Sequence, residues 1–353
     1  MNHSKSSSTP LPVSSSITQW LPGDYLFPLR LVLGWTYFSA FWRRLILENK
    51  LDPEGAGYIG EKFNHFLPNA FLIRPVIEFF VSNPELLLWK LWVFTIVEGI
   101  VGLLLMLGLM TRWMGLATSM LAFGILLGAG WLGTTCLDEW QIGVLGVSGG
   151  LVFAFAGGGR LSLDHRLISK YNCGGEKRRP WINRLFGSGM ALPKSWVIIP
   201  GLAMLGLTLL TNQVFHNGVW GKLHNKSVKP IVEVSDARIS GENLRFTAFR
   251  VEGADVYGAF LISVRLVDPA TENAVVNWTA TDLVKLSAES IQNSYVAKIK
   301  PGVNSLILPL GAKAEIQLKN KSLQTLPKQD YTLELEDISG AVWTAPVTFP
   351  TNP

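Results

Sequence analysis

Between residues 85 and 158 the chain is mostly apolar, and its few interruptions divide it into three runs. The interruptions are Glu98, which stands alone inside the first run, the turn Gly108-Leu109-Met110-Thr111-Arg112, and a more polar stretch at 130–140. The last run ends at Gly157-Gly158-Gly159-Arg160. A helix needs ~20 apolar residues to cross ~30 Å of hydrocarbon, so each run is long enough to span a bilayer. An earlier apolar run and a later one bring the expected spans to five: 24–47, 86–110, 113–132, 140–155 and 196–215.

The segments between the spans read differently. Residues 1–22 are rich in Ser, Thr and Pro and predict a disordered tail, because no apolar core precedes a small-residue cleavage site. The 48–84 connection is polar and punctuated by Gly and Pro. Within it, 69–81 places Phe71, Leu72, Val76, Phe79 and Phe80 opposite Arg74 and Glu78, the pattern of a short helix lying in the interface. From 228 onward the period changes to two. The segments Leu244-Arg245-Phe246-Thr247-Ala248-Phe249-Arg250-Val251 and Ala259-Phe260-Leu261-Ile262-Ser263-Val264-Arg265-Leu266 alternate as strands do, with turn signals at Ser240-Gly241, Asp268-Pro269, Pro301-Gly302 and Ser339-Gly340. About seven short strands over this length point to an immunoglobulin-like antiparallel sandwich.

Charge placement orients the chain. Residues 159–194 carry Arg160, Arg166, Lys170, Lys177, Arg178, Arg179, Arg184 and Lys194 against only Asp164 and Glu176, and a short loop this basic stays in the cytoplasm. Counting spans from there, the N-terminus and the 108–112 turn are expected to be cytoplasmic. The 48–84 connection, the turn around Cys136 and everything beyond 216 are expected on the periplasmic side of a plasma (inner) membrane. The expected organisation is a tail (1–22), a four-span membrane domain (23–158), a basic loop (159–194), a fifth span (195–216) and an extracytoplasmic β domain (228–353).

Composition agrees with a membrane chain. Only 16% of residues are charged, mean hydropathy is +0.28, and soluble chains average near a quarter charged. The thirteen Trp suit interfacial aromatic belts. No run interleaves bases with aromatics on a soluble domain, so nucleic acid has no support as a partner. Two cysteines, Cys136 and Cys173, make neither a disulfide framework nor a four-ligand metal site. No haem-attachment, iron–sulfur, dinucleotide or phosphate-loop motif is present, so no bound metal, haem or flavin is expected.

Four segments carry a resemblance. Arg30-Leu-Val-Leu-Gly34-Trp35 and the run from Glu98 through Gly102 and Gly108 to Thr111-Arg112 resemble the DoxX/DoxD superfamily of membrane four-helix bundles. The segment from Gly130 through Cys136, Asp138, Glu139 and Trp140 to Gln141 is similar to DoxD more narrowly, and the single span followed by a β domain is similar to DoxA. The expected fold is therefore a membrane all-α four-helix bundle, DoxX/DoxD-like, with a fifth transmembrane helix and a C-terminal all-β sandwich. The resemblance implies a DoxD–DoxA fusion that oxidises thiosulfate to tetrathionate and passes the electrons to a membrane quinone.

Which residues would do this is a question of chemistry. Cys136 lies on an outer turn near a helix start, which favours the thiolate, while Asp138 and Glu139 oppose it. Its sulfur can hold an oxidised thiosulfate until a second one displaces tetrathionate; the bland alternative is an idle buried thiol. Cys173, in the basic loop on the other side, is read as incidental. A mid-span carboxylate costs ~2.5–3.5 kcal/mol on insertion scales. Glu98 therefore needs a partner or a cavity, and Arg30 is the expected one. Either the two fix how spans 1 and 2 pack, or they form a quinone and proton path with Trp131 and Trp140 as walls. Trp131 and Trp140 read equally well as belt aromatics. Arg43 and Arg44 defy the positive-inside bias. One is expected to snorkel and one to point inward as a clamp for the thiosulfate dianion, with His65 as a proton-exchanging neighbour. Recurring glycines, among them Gly99, Gly102, Gly108, Gly124, Gly143, Gly146 and Gly149, are read as helix-packing points.

The rival reading is a non-catalytic membrane anchor or assembly subunit whose β domain is a docking module. The sequence leaves open a homo-oligomer and a respiratory-chain partner alike.

Overall fold

The computed structural model describes residues 21–133, 138–172 and 193–349. A short α1 (Pro22–Tyr25) stops at Leu26, and α2 (Phe27–Phe41) restarts with Pro28 in its first turn. It continues as a π-helical segment, Trp42–Leu47, so the helical run reaches bilayer length. α3 (Ile59–Phe66) and α4 (Arg74–Val81) follow in the 48–84 connection. Then come α5 (Pro84–Leu107), α6 (Thr111–Ala129), α7 (Asp138–Ala156), a short α8 (Leu163–Asn172) and α9 (Ser195–His216). Four of these, in α5, α6, α7 and α9, are long and apolar enough to cross a membrane.

The amphipathic segment is shorter than its pattern. Residues 67–69 form a 3-10 turn, Leu72 takes a left-handed φ of 63°, and the helix proper begins at Arg74. Pro75 has no N–H to donate and restricts the residue before it, so it fits the first turn of a helix but not its middle.

The bundle is two tight helix pairs. A Cβ on Gly102 would lie 2.3 Å from the Phe38 backbone nitrogen and 2.6 Å from the Gly34 carbonyl oxygen. α2 and α5 therefore touch backbone to backbone. α6 and α7 do the same at Gly115 and Gly150, where a Cβ would meet the Gly150 carbonyl at 2.6 Å and the Gly115 carbonyl at 2.5 Å. Ser119 Oγ donates to the Val147 carbonyl across that seam at 2.9 Å. The buried face of α5 (Leu87, Leu91, Thr95, Glu98, Gly99, Val101, Gly102 and Leu105) follows the helical period. α9 stands at the periphery. Trp140 donates its indole N–H to Thr211 Oγ1 at 3.0 Å, and Phe215 meets Phe71 edge-on at 6.1 Å.

The C-terminal domain is an antiparallel sandwich. β1 (Ile231–Ser240), β2 (Asn243–Glu252), β8 (Lys313–Lys319) and β5 (Ile291–Asn293) form one sheet in the order β1-β2-β8-β5. The other runs β10-β9-β3-β7-β6, with β4 also pairing β3. Its strands are β3 (Ala259–Asp268), β4 (Asn273–Thr279), β6 (Lys300–Pro301), β7 (Leu306–Leu308), β9 (Tyr331–Asp337) and β10 (Val342–Val347). The alternating residues Leu244, Phe246 and Ala248 of one sheet and Leu261, Val264, Leu333 and Leu335 of the other close a single apolar core.

The sandwich sits on one end of the bundle. The loop after β7 buries Leu310 in the same apolar cluster as Tyr37, Leu126, Trp131 and Phe215. Asn64 of α3 donates to the Gly311 carbonyl at 2.7 Å and accepts from the Ala297 amide at 3.3 Å. Asn69 donates to the Val251 carbonyl at 2.9 Å, Lys226 to Asn69 at 2.9 Å, and Tyr295 to Glu78 at 2.6 Å. The close approach at Gly311 requires its positive φ of 74° and its missing side chain, since a Cβ would fall 2.3 Å from the Asn64 carbonyl.

Candidate functional site

The antiparallel register of α2 on α5 decides which cation meets Glu98. Gly34 lies against Gly102 and Met106, and Phe41 lies against Gly99. The next turn of that face then brings Arg44 to Glu98, with Arg44 Nη1 donating to Glu98 Oε2 at 2.5 Å. The Glu98 side chain is 4% exposed and that of Arg44 23%. The Arg44 guanidinium also stands over the Phe94 ring, 5.9 Å from its centroid. The expected Glu98–Arg30 contact is therefore not formed. The π-helical segment carries Arg44, and such segments recur at functional sites because they break the regular ladder.

Arg30 does something else at the far end. It donates from Nη1 to the Gly158 carbonyl and from Nη2 to the Leu161 carbonyl at 2.6 Å, and it packs over Phe27. Beside it Asp164 accepts from the Met110 amide (2.7 Å), the Thr111 amide (2.8 Å) and the Thr111 hydroxyl (2.7 Å). Asp24 accepts from the Leu21 amide at 2.7 Å and from the Arg160 amide. Three chain turns, near 24, 108–111 and 157–164, are thereby tied together. This is a structural lock, and it holds Arg30 away from Glu98.

The remaining sequence candidates are dispersed. Arg43 is exposed and turns its Nε back to the Ser39 carbonyl at 3.3 Å, so of the adjacent pair Arg44 is the one that points inward. His65, on α3, is largely buried and lies within electrostatic reach of Asp255 and Arg250 of the β domain. Burial, reinforced by the Lys62 cation, pushes its imidazole down to about 4. Lys62 pairs with Asp255 of the β domain. Burial pushes that carboxyl up, but the hydrogen bond and charge of Lys62 outweigh it and hold the group below the usual range. Arg250 next to them donates to the carbonyls of Glu252, Ala254, Tyr257 and Leu308, and burial pushes its guanidinium down to about 10.

Trp131 is a fully buried core residue that donates to the Phe66 carbonyl at 3.2 Å, and Trp140 pins α9. Neither is a belt aromatic, because each indole N–H is spent inside the protein. Glu139 is half-buried at the start of α7. Cys136, Cys173 and the Asp138 side chain lie outside the described residues.

One residue of this site escaped the sequence reading. Tyr37 shares the α2 face of Gly34 and Phe41, is 5% exposed and lies within electrostatic reach of Glu98. Its hydroxyl reaches α7, where a Cβ on Gly146 would come 3.0 Å from it. A phenol in an apolar span reads as one more aromatic. Only its place three residues after Gly34 on the packed face could have singled it out. The domain seam was also missed, since its partners lie far apart in the chain.

A multi-span helical domain with a buried ion pair, capped at one end by a β-sandwich, defines a membrane protein built as two fused modules. Comparison with known families agrees. The sequence model of the family described as "TQO small subunit DoxD" matches residues 25–187, and that described as "TQO small subunit DoxA" matches 215–346. The chain belongs to the DoxD family through its membrane domain and to the DoxA family through its last helix and sandwich. Among solved structures, the C. elegans twitchin kinase region (Fn31-NL-kin-CRD-Ig26) aligns at 10% identity over 69% of this chain and 42% of that one. At a TM-score of 0.18 that likeness carries no argument, and the chain spans under half the length of that structure.

Proposed function

We propose that this chain is a membrane thiosulfate:quinone oxidoreductase. Two thiosulfates lose two electrons and become tetrathionate, while a quinone in the bilayer takes up those electrons and two protons to become quinol. The observation that carries the reading is the union of both TQO small-subunit families in one chain whose modules share a buried seam.

In this reading the sandwich faces the periplasm of a plasma (inner) membrane and sulfur chemistry takes place on its side of the bundle. The Cys136 thiolate is the sulfur acceptor. It forms an S–S bond to the outer sulfur of thiosulfate as two electrons pass to the quinone and two protons follow them. The outer sulfur of a second thiosulfate attacks that same sulfur, tetrathionate leaves, and the thiolate is restored. Atoms and charge balance without a bound metal, haem or flavin. Asp138 and Glu139 flank the acceptor and keep its thiolate basic enough to attack, and the exposed Arg43 draws the dianion toward the membrane surface.

The test is thiosulfate-dependent reduction of decylubiquinone by purified protein in lipid, with tetrathionate quantified, for wild type and Cys136→Ala. Loss of at least a hundredfold in the variant is expected. Full activity in Cys136→Ala removes the cysteine mechanism and keeps the enzyme. A specific observation favours a second reading, an assembly subunit with the sandwich as docking module. His65 is largely buried within electrostatic reach of the β domain and Arg43 turns outward, so these two do not share a pocket with Arg44. A wild type inactive with every quinone and lipid tried selects that second reading.

A further inference from the structure

Three polar side chains converge inside the apolar membrane domain with hydrogen-bonding capacity left over. Arg44 spends one N–H on Glu98 Oε2, and among the described residues neither side chain makes another hydrogen bond. Glu98 Oε1 and the remaining guanidinium N–H groups are thus unspent. The Tyr37 hydroxyl, on a side chain that is more than nine-tenths buried, has no hydrogen-bond partner among the described residues either. Gly146 is what lets that hydroxyl approach α7, since a Cβ there would lie 3.0 Å from it and 2.7 Å from the Ala122 Cβ. Polar groups on buried side chains are nearly always satisfied, so the unspent capacity of Tyr37 and Glu98, with the partly exposed Arg44 at their edge, points to a socket for a ligand's polar atoms.

The surroundings select the ligand. Arg44 and Glu98 together are neutral, and the apolar interior disfavours a dianion, so thiosulfate is a poor fit. The walls are aromatic: Phe41 lies against Gly99, and Phe94 lies under the guanidinium. The opening is toward lipid. Arg44 is the more exposed member of its pair, and Phe94 and Trp42 beside it are 37% and 40% exposed on the outer surface. Next to Gly99 and Gly102, α2 and α5 touch, which closes the other direction along the seam. A flat, apolar ring bearing carbonyl oxygens fits all of these features.

We propose that Tyr37, Arg44 and Glu98 hold the quinone headgroup, which reaches them from the bilayer between the Trp42–Leu47 segment and α5. This rests on the oxidoreductase reading above. The Arg44 guanidinium turns from Glu98 to a quinone carbonyl oxygen, and the Tyr37 hydroxyl donates a hydrogen bond to the ring oxygens. Glu98, left as an unpaired buried carboxylate, takes up a proton from the aqueous side. As thiosulfate supplies two electrons, Glu98 passes that proton to a reduced oxygen, is protonated again and passes the second. Quinol leaves, and Arg44 returns to Glu98.

The experiment uses the full chain in lipid nanodiscs. Wild type, Glu98→Gln, Arg44→Lys and Tyr37→Phe are assayed with thiosulfate and two acceptors, decylubiquinone and aqueous ferricyanide, which bypasses a lipid-facing site. Expected are at least a tenfold loss of quinone turnover in Glu98→Gln and at least a threefold rise in decylubiquinone KM in Tyr37→Phe. Ferricyanide turnover should stay within twofold throughout. Parallel loss with both acceptors in folded variants overturns the assignment. Decylubiquinone binding, read by quenching of tryptophan fluorescence, is measured without thiosulfate. Binding at least tenfold weaker in Arg44→Lys supports the socket even if no sulfur oxidation is seen, a result that would fail only the oxidoreductase reading. Equal binding in all four proteins sinks the socket.

Discussion

Gly102→Ala is the sharpest test of how the bundle positions its buried pair. The new methyl would stand 2.3 Å from the Phe38 nitrogen and 2.6 Å from the Gly34 oxygen, both backbone atoms that no rotamer can move. Contact distances near ~3.5 Å mean that α2 and α5 must part by about 1 Å. Overpacking of this kind costs ~1–3 kcal/mol, and with backbone on both sides the upper end applies. The gain in helix propensity from Gly to Ala returns ~1 kcal/mol. A net loss of about 2 kcal/mol follows for Gly102→Ala. Gly124 is the control, because a Cβ there meets nothing within 4 Å. Gly124→Ala keeps only the propensity gain, ~1 kcal/mol, so the two variants should differ by about 3 kcal/mol.

The same parting has a functional consequence. Gly102 is one turn from Glu98, and the 2.5 Å contact to Arg44 spans the helices that must separate. Opened by about 1 Å, it passes beyond the ~2.7–2.9 Å of a charge-assisted hydrogen bond. The assay is thermal unfolding in detergent followed by circular dichroism, with quinone turnover measured on the same samples. Gly102→Ala should melt several degrees below wild type and turn over quinone more slowly, and Gly124→Ala should do neither. Equal melting of Gly102→Ala and wild type, or equal destabilisation of both variants, would refute the backbone contact described here.

Two further outcomes are expected. His65 titrates at about 4 in the folded protein against an ordinary 6.5, so the unfolded chain binds the proton first as the pH falls. Its contribution is complete above pH 6.5 and is lost between 6.5 and about 4; the loss is at most about 3 kcal/mol. Asp255, held below its usual range, adds loss in the same direction at still lower pH. His65→Gln should flatten the unfolding midpoint over pH 6.5 to 4, and an unchanged slope would remove His65 from the seam's pH dependence. Arg30→Lys gives up the forked hold on the Gly158 and Leu161 carbonyls, a loss of about 2 kcal/mol. Its decylubiquinone KM should match wild type, and a large rise there would return Arg30 to the quinone path.

Much of the architecture was legible because it is written in local periods. The apolar runs around α5, α6, α7 and α9, the switch to alternation after residue 228 and the glycine-marked turns all follow from what a bilayer or a sheet demands of neighbouring residues. Partnership across elements is a different kind of information. A period shows that Glu98 lies on the buried face of α5 but not how far α2 slides along it, and that slide chooses between Arg30 and Arg44. Gly34 and Gly102 contained the answer, since small residues mark where backbones touch. Set opposite each other in antiparallel helices, they place Arg30 beside Gly108 and leave Arg44 as the cation within reach of Glu98. The domain seam had no such marker. Asn64 and Gly311, or Lys62 and Asp255, meet only because two independently patterned modules dock, and nothing in the local pattern of either module encodes the other's surface. Glu98 was conspicuous because a carboxylate is costly in an apolar span, whereas Tyr37 passed as an ordinary aromatic. A residue stands out in sequence by what it costs where it is; what it does follows from what the fold brings against it.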